Sequence, residues 1–202
     1  KGLQTPPFVS LRGTTDWHRV MADLGPEICV KPAHEGSSIG VDKVTTAHDL
    51  EQAFIKAAAL DSEVLAEKWV TGGEYTVSIL DDHVLPVIGL STDNHFYDYD
   101  AKYVSNDTRY MLPSGLDEER EKEIKALALE AFKAVGCESW GRVDVMADEG
   151  GDFWLLEVNT IPGMTDHSLV PMAAKSAAIE FDDLVLRILE GSMGLPVVSE
   201  ER

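Results

Sequence analysis

Basic residues are scarce in this 202-residue chain: 17 Lys and Arg stand against 36 Asp and Glu, giving a formal net charge of −19 and a pI near 4.5. That balance argues against wrapping nucleic acid or inserting into an anionic membrane, both of which favour a basic surface. An anionic substrate such as a nucleotide then needs local cations, so each well-placed Lys or Arg carries weight. No run of about 18 apolar residues is present, and the N-terminus has no signal-peptide pattern. The two cysteines, Cys29 and Cys137, form neither a CxxC nor a zinc spacing; they read as reduced thiols of a cytoplasmic protein, with a disulfide between them left open. The chain also lacks an HExxH pair among its 6 histidines, a Walker A loop, a dinucleotide fingerprint and any internal repeat.

What remains is a globular composition, 44% hydrophobic, sufficient for one core or two small lobes. The chain opens on Lys1-Gly-Leu-Gln-Thr-Pro-Pro7 without an initiator Met, which reads as a linker within a longer protein. Residues 1–12 form an extended entry, 13–70 and 71–190 two α+β lobes, and 191–202 a tail. Helices are expected over 16–24, over 47–60 behind Thr46 and Asp49, over 118–135 behind Asp117, from Ser168 onward, and over 182–190. Ile28–Lys31 reads as a short buried strand, Ile39–Val44 as its hairpin partner and Glu63–Val70 as a further strand. Tyr75–Leu80 and Val84–Leu90 read as a meander around Asp81-Asp82. Residues 91–116 are polar and irregular, the pattern of a functional lid or of disorder.

The strongest chemical signal lies in Arg142-Val-Asp144 and Glu157-Val-Asn159, flanking Asp148-Glu-Gly-Gly-Asp152. With a four-residue loop over 149–152, Asp148 faces Phe153, Asp144 faces Glu157 and Arg142 faces Asn159. Strand alternation then gathers all four polar groups on one face, with Val143, Val145, Trp154, Leu156 and Val158 on the other as core. Two carboxylates and an amide oxygen are hard ligands suited to Mg²⁺ or Mn²⁺, and Arg142 beside them can hold an anion. A salt-bridge cluster or a structural Ca²⁺ site is the alternative on geometry alone.

Other segments are individually weaker. Lys31-Pro-Ala-His-Glu-Gly-Ser37-Ser38-Ile-Gly40 ends a strand on a lysine before a Gly/Ser loop able to cradle phosphate, or forms a plain hairpin with its lysine solvated. Glu67-Lys68-Trp69-Val70 and Glu74 lie where the two lobes meet, a common ligand position, and backbone groups there can read a purine edge. Lys102, followed by Tyr103, sits in the irregular stretch and can close over phosphates, or is simply solvated. Gly163 to Pro171 leads into a helix whose first N–H groups suit a carboxylate, with Ser168 in the capping position.

Taken together, these segments resemble the ATP-grasp part of the D-alanine–D-alanine ligase family. The resemblance rests on Val30–Val41, Glu67–Val70, Phe96–Tyr103, Trp140–Met146, Leu156–Thr165 and His167–Pro171, in order, across residues 1–190. It implies an α+β ATP-grasp fold, two lobes with antiparallel sheets sandwiching a nucleotide. Lys31 and Lys102 would hold ATP phosphates beneath the Ser37-Ser38 loop; Glu67, Lys68 and Val70 would border adenine, and Glu74 the ribose. Asp144, Glu157 and Asn159 would ligate two Mg²⁺ or Mn²⁺ ions. Arg142 and the Gly163 amide would stabilise the oxyanion, Ser168 and Leu169 would receive the carboxylate of the second D-alanine, and Tyr103 would also bind substrate. The implied reaction is ATP-dependent ligation of two D-alanines through an acyl phosphate, for peptidoglycan precursors, by a cytoplasmic enzyme that is a homodimer at full length.

Members of the family also carry a preceding domain that contributes to the first D-alanine site, and the sequence here starts at the linker. The expectation is a nucleotide-binding part that ligates poorly by itself. A D-alanine–D-lactate type ligase and a non-catalytic nucleotide-binding module are the alternatives; Tyr103 after Lys102 resembles the dipeptide-forming version.

Overall fold

The computed structural model describes residues 1–36, 38–91, 109–165 and 167–193. It divides into two compact units: Pro6–Val70, and Lys1–Thr5 with Thr71–Ser91 and the described residues from Arg109 onward.

In the first unit, β1 (Phe8–Leu11), β4 (Val64–Lys68), β2 (Ile28–Pro32) and β3 (Asp42–Val44) form an antiparallel sheet in the order β1-β4-β2-β3. The extended entry thus contains an edge strand. Ile28, Val30, Val64, Ala66 and Val44 pack against α1 (Trp17–Leu24) and α2 (Ala47–Ala58) through Val20, Leu24, Leu50, Ala53 and Ala57. Both helices start as their sequences dictate. The Asp16 carboxylate accepts from the Arg19 N–H at 3.1 Å, and Thr46 Oγ1 from the Asp49 N–H at 3.1 Å. Two expectations need correction. The second strand is confined to Asp42–Val44, because residues 38–40 form a turn in which Ser38 has φ 58° and Gly40 φ 73°. β2 is fully buried only on its helix face; Cys29 and Lys31, half-buried, lie on the face away from the helices.

The second unit is a six-stranded antiparallel sheet in the order β10-β9-β5-β7-β8, with β6 paired to β5. Its strands are β5 (Gly72–Leu80), β6 (His83–Val84), β7 (Ile88–Ser91), β8 (Arg109–Met111), β9 (Trp140–Asp148) and β10 (Phe153–Asn159). Asp81 and Asp82, with φ 52° and 63°, close the β5–β6 hairpin. The expected strand Val84–Leu90 breaks in two around Pro86, which has no N–H to give to a ladder. β8 lies inside the stretch read as irregular; residues 92–108 of that stretch fall outside the described residues. Helix α3 (Glu118–Ala134), capped by Asp117 through the Arg120 N–H at 2.9 Å, lays Ile124, Ala128, Ala131 and Phe132 on Val77, Ile79, Val143 and Val145. Helices α4 (Leu169–Ser176) and α5 (Phe181–Ser192) pack together, and α4 packs on β5.

The β9–β10 hairpin differs from its expected register in two places that cancel. The Asp148 N–H donates to the Asp152 carbonyl at 2.9 Å, so the loop is Glu149–Gly151, one residue shorter than expected. Phe153 therefore faces Ala147, Trp154 faces Met146 and Leu155 faces Val145. A bulge at Leu156 then restores Glu157 opposite Asp144 and Asn159 opposite Arg142. The core composition changes accordingly: Phe153 and Leu155 are in the core, not Trp154 and Leu156. The Trp154 indole instead donates to the Asp148 carboxylate at 2.8 Å, the main reason that carboxyl titrates below its ordinary range.

Candidate active site

The bulge at Leu156 builds the site. Phe153, Leu155, Glu157 and Asn159 are all odd-numbered, and regular alternation would turn all four toward α3. The extra residue flips the chain between Leu155 and Glu157, so the two apolar side chains point to the core and the two polar ones to the opposite face. Glu74, Thr76 and Ser78 of β5 share that face, since they stand opposite Met146, Asp144 and Arg142.

Asp144 is the centre of the cluster and is only 8% exposed. Oδ1 accepts from Thr76 Oγ1 at 2.6 Å and from Arg142 Nε at 2.8 Å; Oδ2 accepts from Arg142 Nη2 at 2.7 Å and from Asn159 Nδ2 at 3.0 Å. The same Asn159 amide donates to Glu157 Oε1 at 3.2 Å. The Asn159 NH₂ and the Arg142 guanidinium thus provide the positive potential that two converging carboxylates require. Among the described residues, no three His, Cys, Asp or Glu side chains converge as a metal site; the convergent trio is two carboxylates and one amide. That donor set fits a hard divalent cation once the Asn159 amide presents its oxygen instead of its nitrogen. Sequence reasoning missed Thr76, because only the β5–β9 register brings it to Asp144.

A second group lies just beyond β10. Gly163 approaches the Ser168 hydroxyl so closely that an added Cβ would stand 2.9 Å from it. Ser168 occupies the cap position of α4 but makes no side-chain cap bond. Its Oγ instead accepts from the Thr165 N–H at 2.9 Å and contacts Thr165 Oγ1 at 2.9 Å. The hydroxyl therefore faces the loop rather than the helix. Leu169 is buried at the first turn.

In the first unit, Lys31 Nζ lies 2.8 Å from Glu67 Oε2 on the sheet face opposite the helices. Cys29 sits on the same face, directly opposite Glu67. Burial pushes its thiol up to about 12, so it stays neutral beside the ion pair and offers no thiolate. Lys68 alternates to the other side of β4 and is exposed, so its side chain does not join Lys31 and Glu67. Its N–H donates to the Pro7 carbonyl at 2.8 Å, and Val70 follows the end of the strand. The loop after Lys31 is anchored by His34, whose N–H and Nδ1 lie 2.7 and 2.9 Å from Asp61 Oδ2. Ser37, Lys102 and Tyr103 lie outside the described residues.

A family model described as the D-ala D-ala ligase C-terminus matches residues 1–190. The D-alanine–D-alanine ligase of Marinobacter nauticus is 56% identical over 192 residues, covering 95% of this chain and 59% of that protein. A crystal structure of the D-alanine–D-alanine ligase from Bacillus anthracis complexed with ATP superposes with a TM-score of 0.81 at 31% identity, over 96% of this chain and 62% of that one. VanG D-Ala:D-Ser ligase from Enterococcus faecalis superposes with a TM-score of 0.82 at 30% identity, over 93% and 57%. The chain thus spans about three fifths of the length of these relatives, and its α+β architecture is that of their ATP-grasp part. With its residues 1–190 matched throughout, the chain belongs to the D-alanine–D-alanine ligase family.

Proposed function

We propose that this chain carries the nucleotide and metal machinery of an ATP-dependent ligase that joins two D-alanines for peptidoglycan precursors. The convergence of Asp144, Glu157 and Asn159 beside Arg142 is the observation that supports this most directly. In the reaction, a carboxylate oxygen of the first D-alanine takes the γ-phosphoryl group of ATP, giving an acyl phosphate and ADP. The amine of the second D-alanine then attacks the acyl carbon, phosphate leaves, and the amine proton is released.

Each residue has a task in that scheme. Asp144, Glu157 and Asn159 would hold two divalent ions, Mg²⁺ or Mn²⁺. When bound, such ions neutralise charge on the transferring phosphoryl oxygens. The Arg142 guanidinium and the Gly163 N–H would donate to the oxyanion that develops as the amine adds. Ser168 and Leu169, at the start of α4, would take the carboxylate of the second D-alanine, since the first turn of a helix favours an anion; Tyr103 would also bind substrate. Lys31, Lys102 and the Ser37-Ser38 loop would bind phosphates, Glu67, Lys68 and Val70 the adenine, and Glu74 the ribose. The Lys31–Glu67 pair supports this reading, since a lysine held by a carboxylate is oriented before ligand arrives. Among the described residues no helix is long and apolar enough to cross a membrane, and we take the working enzyme to be a cytoplasmic homodimer.

Calorimetry of residues 1–202 with a non-hydrolysable ATP analogue, with and without Mg²⁺, tests the reading. Binding that requires Mg²⁺ is expected; no nucleotide binding under either condition would overturn it. Dipeptide formation by the same chain is expected to be low, and substantial turnover would show that these residues suffice.

A further inference from the structure

Thr76 has no task in the ligase scheme, yet among the described residues it makes the shortest of four hydrogen bonds to Asp144. It lies on β5, in the middle of the sheet, directly opposite Asp144 on β9. It is 1% exposed, and Oγ1 donates to Asp144 Oδ1 at 2.6 Å. Arg142 and Asn159, which also donate to that carboxylate, are assigned other tasks. Arg142 is read as contacting the oxyanion, and Asn159 must present an oxygen rather than N–H to bind a cation. Arg142 is also two residues from Asp144 on the same strand, so it cannot fix Asp144 relative to the rest of the sheet. Thr76 can, because β5 pairs with β9 without a break from Gly72–Asp148 to Leu80–Trp140.

We propose that Thr76 is a positioning residue of the cation site: its hydroxyl pins Oδ1 of Asp144 and thereby presents Oδ2, the oxygen beside Asn159, to a divalent ion. The inference rests on the metal reading above and adds to it the group that sets the carboxylate's orientation. Partners that hydrogen-bond a metal-ligating carboxylate orient it and raise its affinity, and losing one typically costs about 10- to 100-fold in metal binding.

Three substitutions separate positioning from packing. Thr76→Val keeps the shape and loses the hydroxyl, Thr76→Ser keeps the hydroxyl and loses a methyl, and Thr76→Ala loses both. Mn²⁺ affinity of residues 1–202, read by electron paramagnetic resonance of the free ion, is measured beside the thermal midpoint in EDTA. Positioning predicts that Val and Ala bind Mn²⁺ about 10-fold or more weakly while Ser stays near wild type, whatever the order of their midpoints. If Thr76→Val keeps wild-type Mn²⁺ affinity while Asp144→Asn loses it, the cation site stands and the role of Thr76 is refuted. If the wild-type chain binds no Mn²⁺, the cation reading itself fails and this inference falls with it.

Discussion

Glu157 stands opposite Asp144 because Leu156 is bulged out of the β9–β10 ladder. The pairing brings two carboxylates within reach of one amide group, the Asn159 NH₂, at 3.0 and 3.2 Å. An acidic protein that turns two acids toward each other on a sheet face incurs repulsion, which a cation can relieve.

Glu157→Gln keeps the size of the side chain and removes one anionic ligand. Nucleotide binding in Mg²⁺ should weaken by about 10-fold, as read by calorimetry with an ATP analogue. An unchanged Mg²⁺ dependence would remove Glu157 from the metal site.

Arg142→Met removes two of the hydrogen bonds to the Asp144 carboxylate and keeps those from Thr76 and Asn159. The Arg142–Asp144 pair is mostly buried, with side-chain exposures of 16% and 11%. Its loss should cost about 2 kcal/mol in urea unfolding in EDTA, less than for a fully buried pair because Thr76 and Asn159 still donate to the carboxylate. Excess Mg²⁺ should restore more stability to the variant than it adds to wild type, since the ion takes over the neutralising charge. Equal Mg²⁺ effects on both would contradict this.

Ser168→Ala tests a hydroxyl that sits in the cap position but bonds to Thr165. Helix content by circular dichroism should be unchanged, with about 1 kcal/mol lost from the Thr165 contact. In an enzyme carrying this chain, the KM for D-alanine should rise more than the KM for ATP. Equal changes in both would mean that Ser168 supports the fold rather than the substrate.

Asp61→Asn probes the anchor of the loop after Lys31. The Glu63 N–H first, then the His34 N–H and imidazole, hold the Asp61 carboxyl down at about 2, from an ordinary 3.8. A lowered folded value means stability that is fully present above the ordinary value and is lost as pH falls through the folded one. The thermal midpoint of wild type should therefore decline between about pH 4 and pH 2 more steeply than that of Asp61→Asn. Parallel curves would contradict the assignment.

Much of this molecule was legible in its residues, for identifiable reasons. Helix starts at Thr46 and Asp117 follow from a short side chain satisfying local N–H groups, an interaction within three residues. The Asp144–Glu157 pairing was read correctly from a loop one residue too long, and the Leu156 bulge compensated; a bulge has no local sequence signature here. The same error misassigned Trp154 and Leu156 to the core. Ser168 was recognised as a cap position, but the direction of its hydroxyl depends on the turn at Thr165. Thr76 was invisible because its partner is 68 residues away and only the register of β5 on β9 unites them. The split of Val84–Leu90 could have been read from Pro86.

Crystals of residues 1–202 grown with Mn²⁺ and an ATP analogue, measured for anomalous scattering, test the central claim most directly. Manganese peaks are expected about 2 Å from oxygens of Asp144, Glu157 and Asn159, with the Asn159 amide turned to present its oxygen. Manganese bound elsewhere, or nucleotide bound with no manganese at these three side chains, would contradict it.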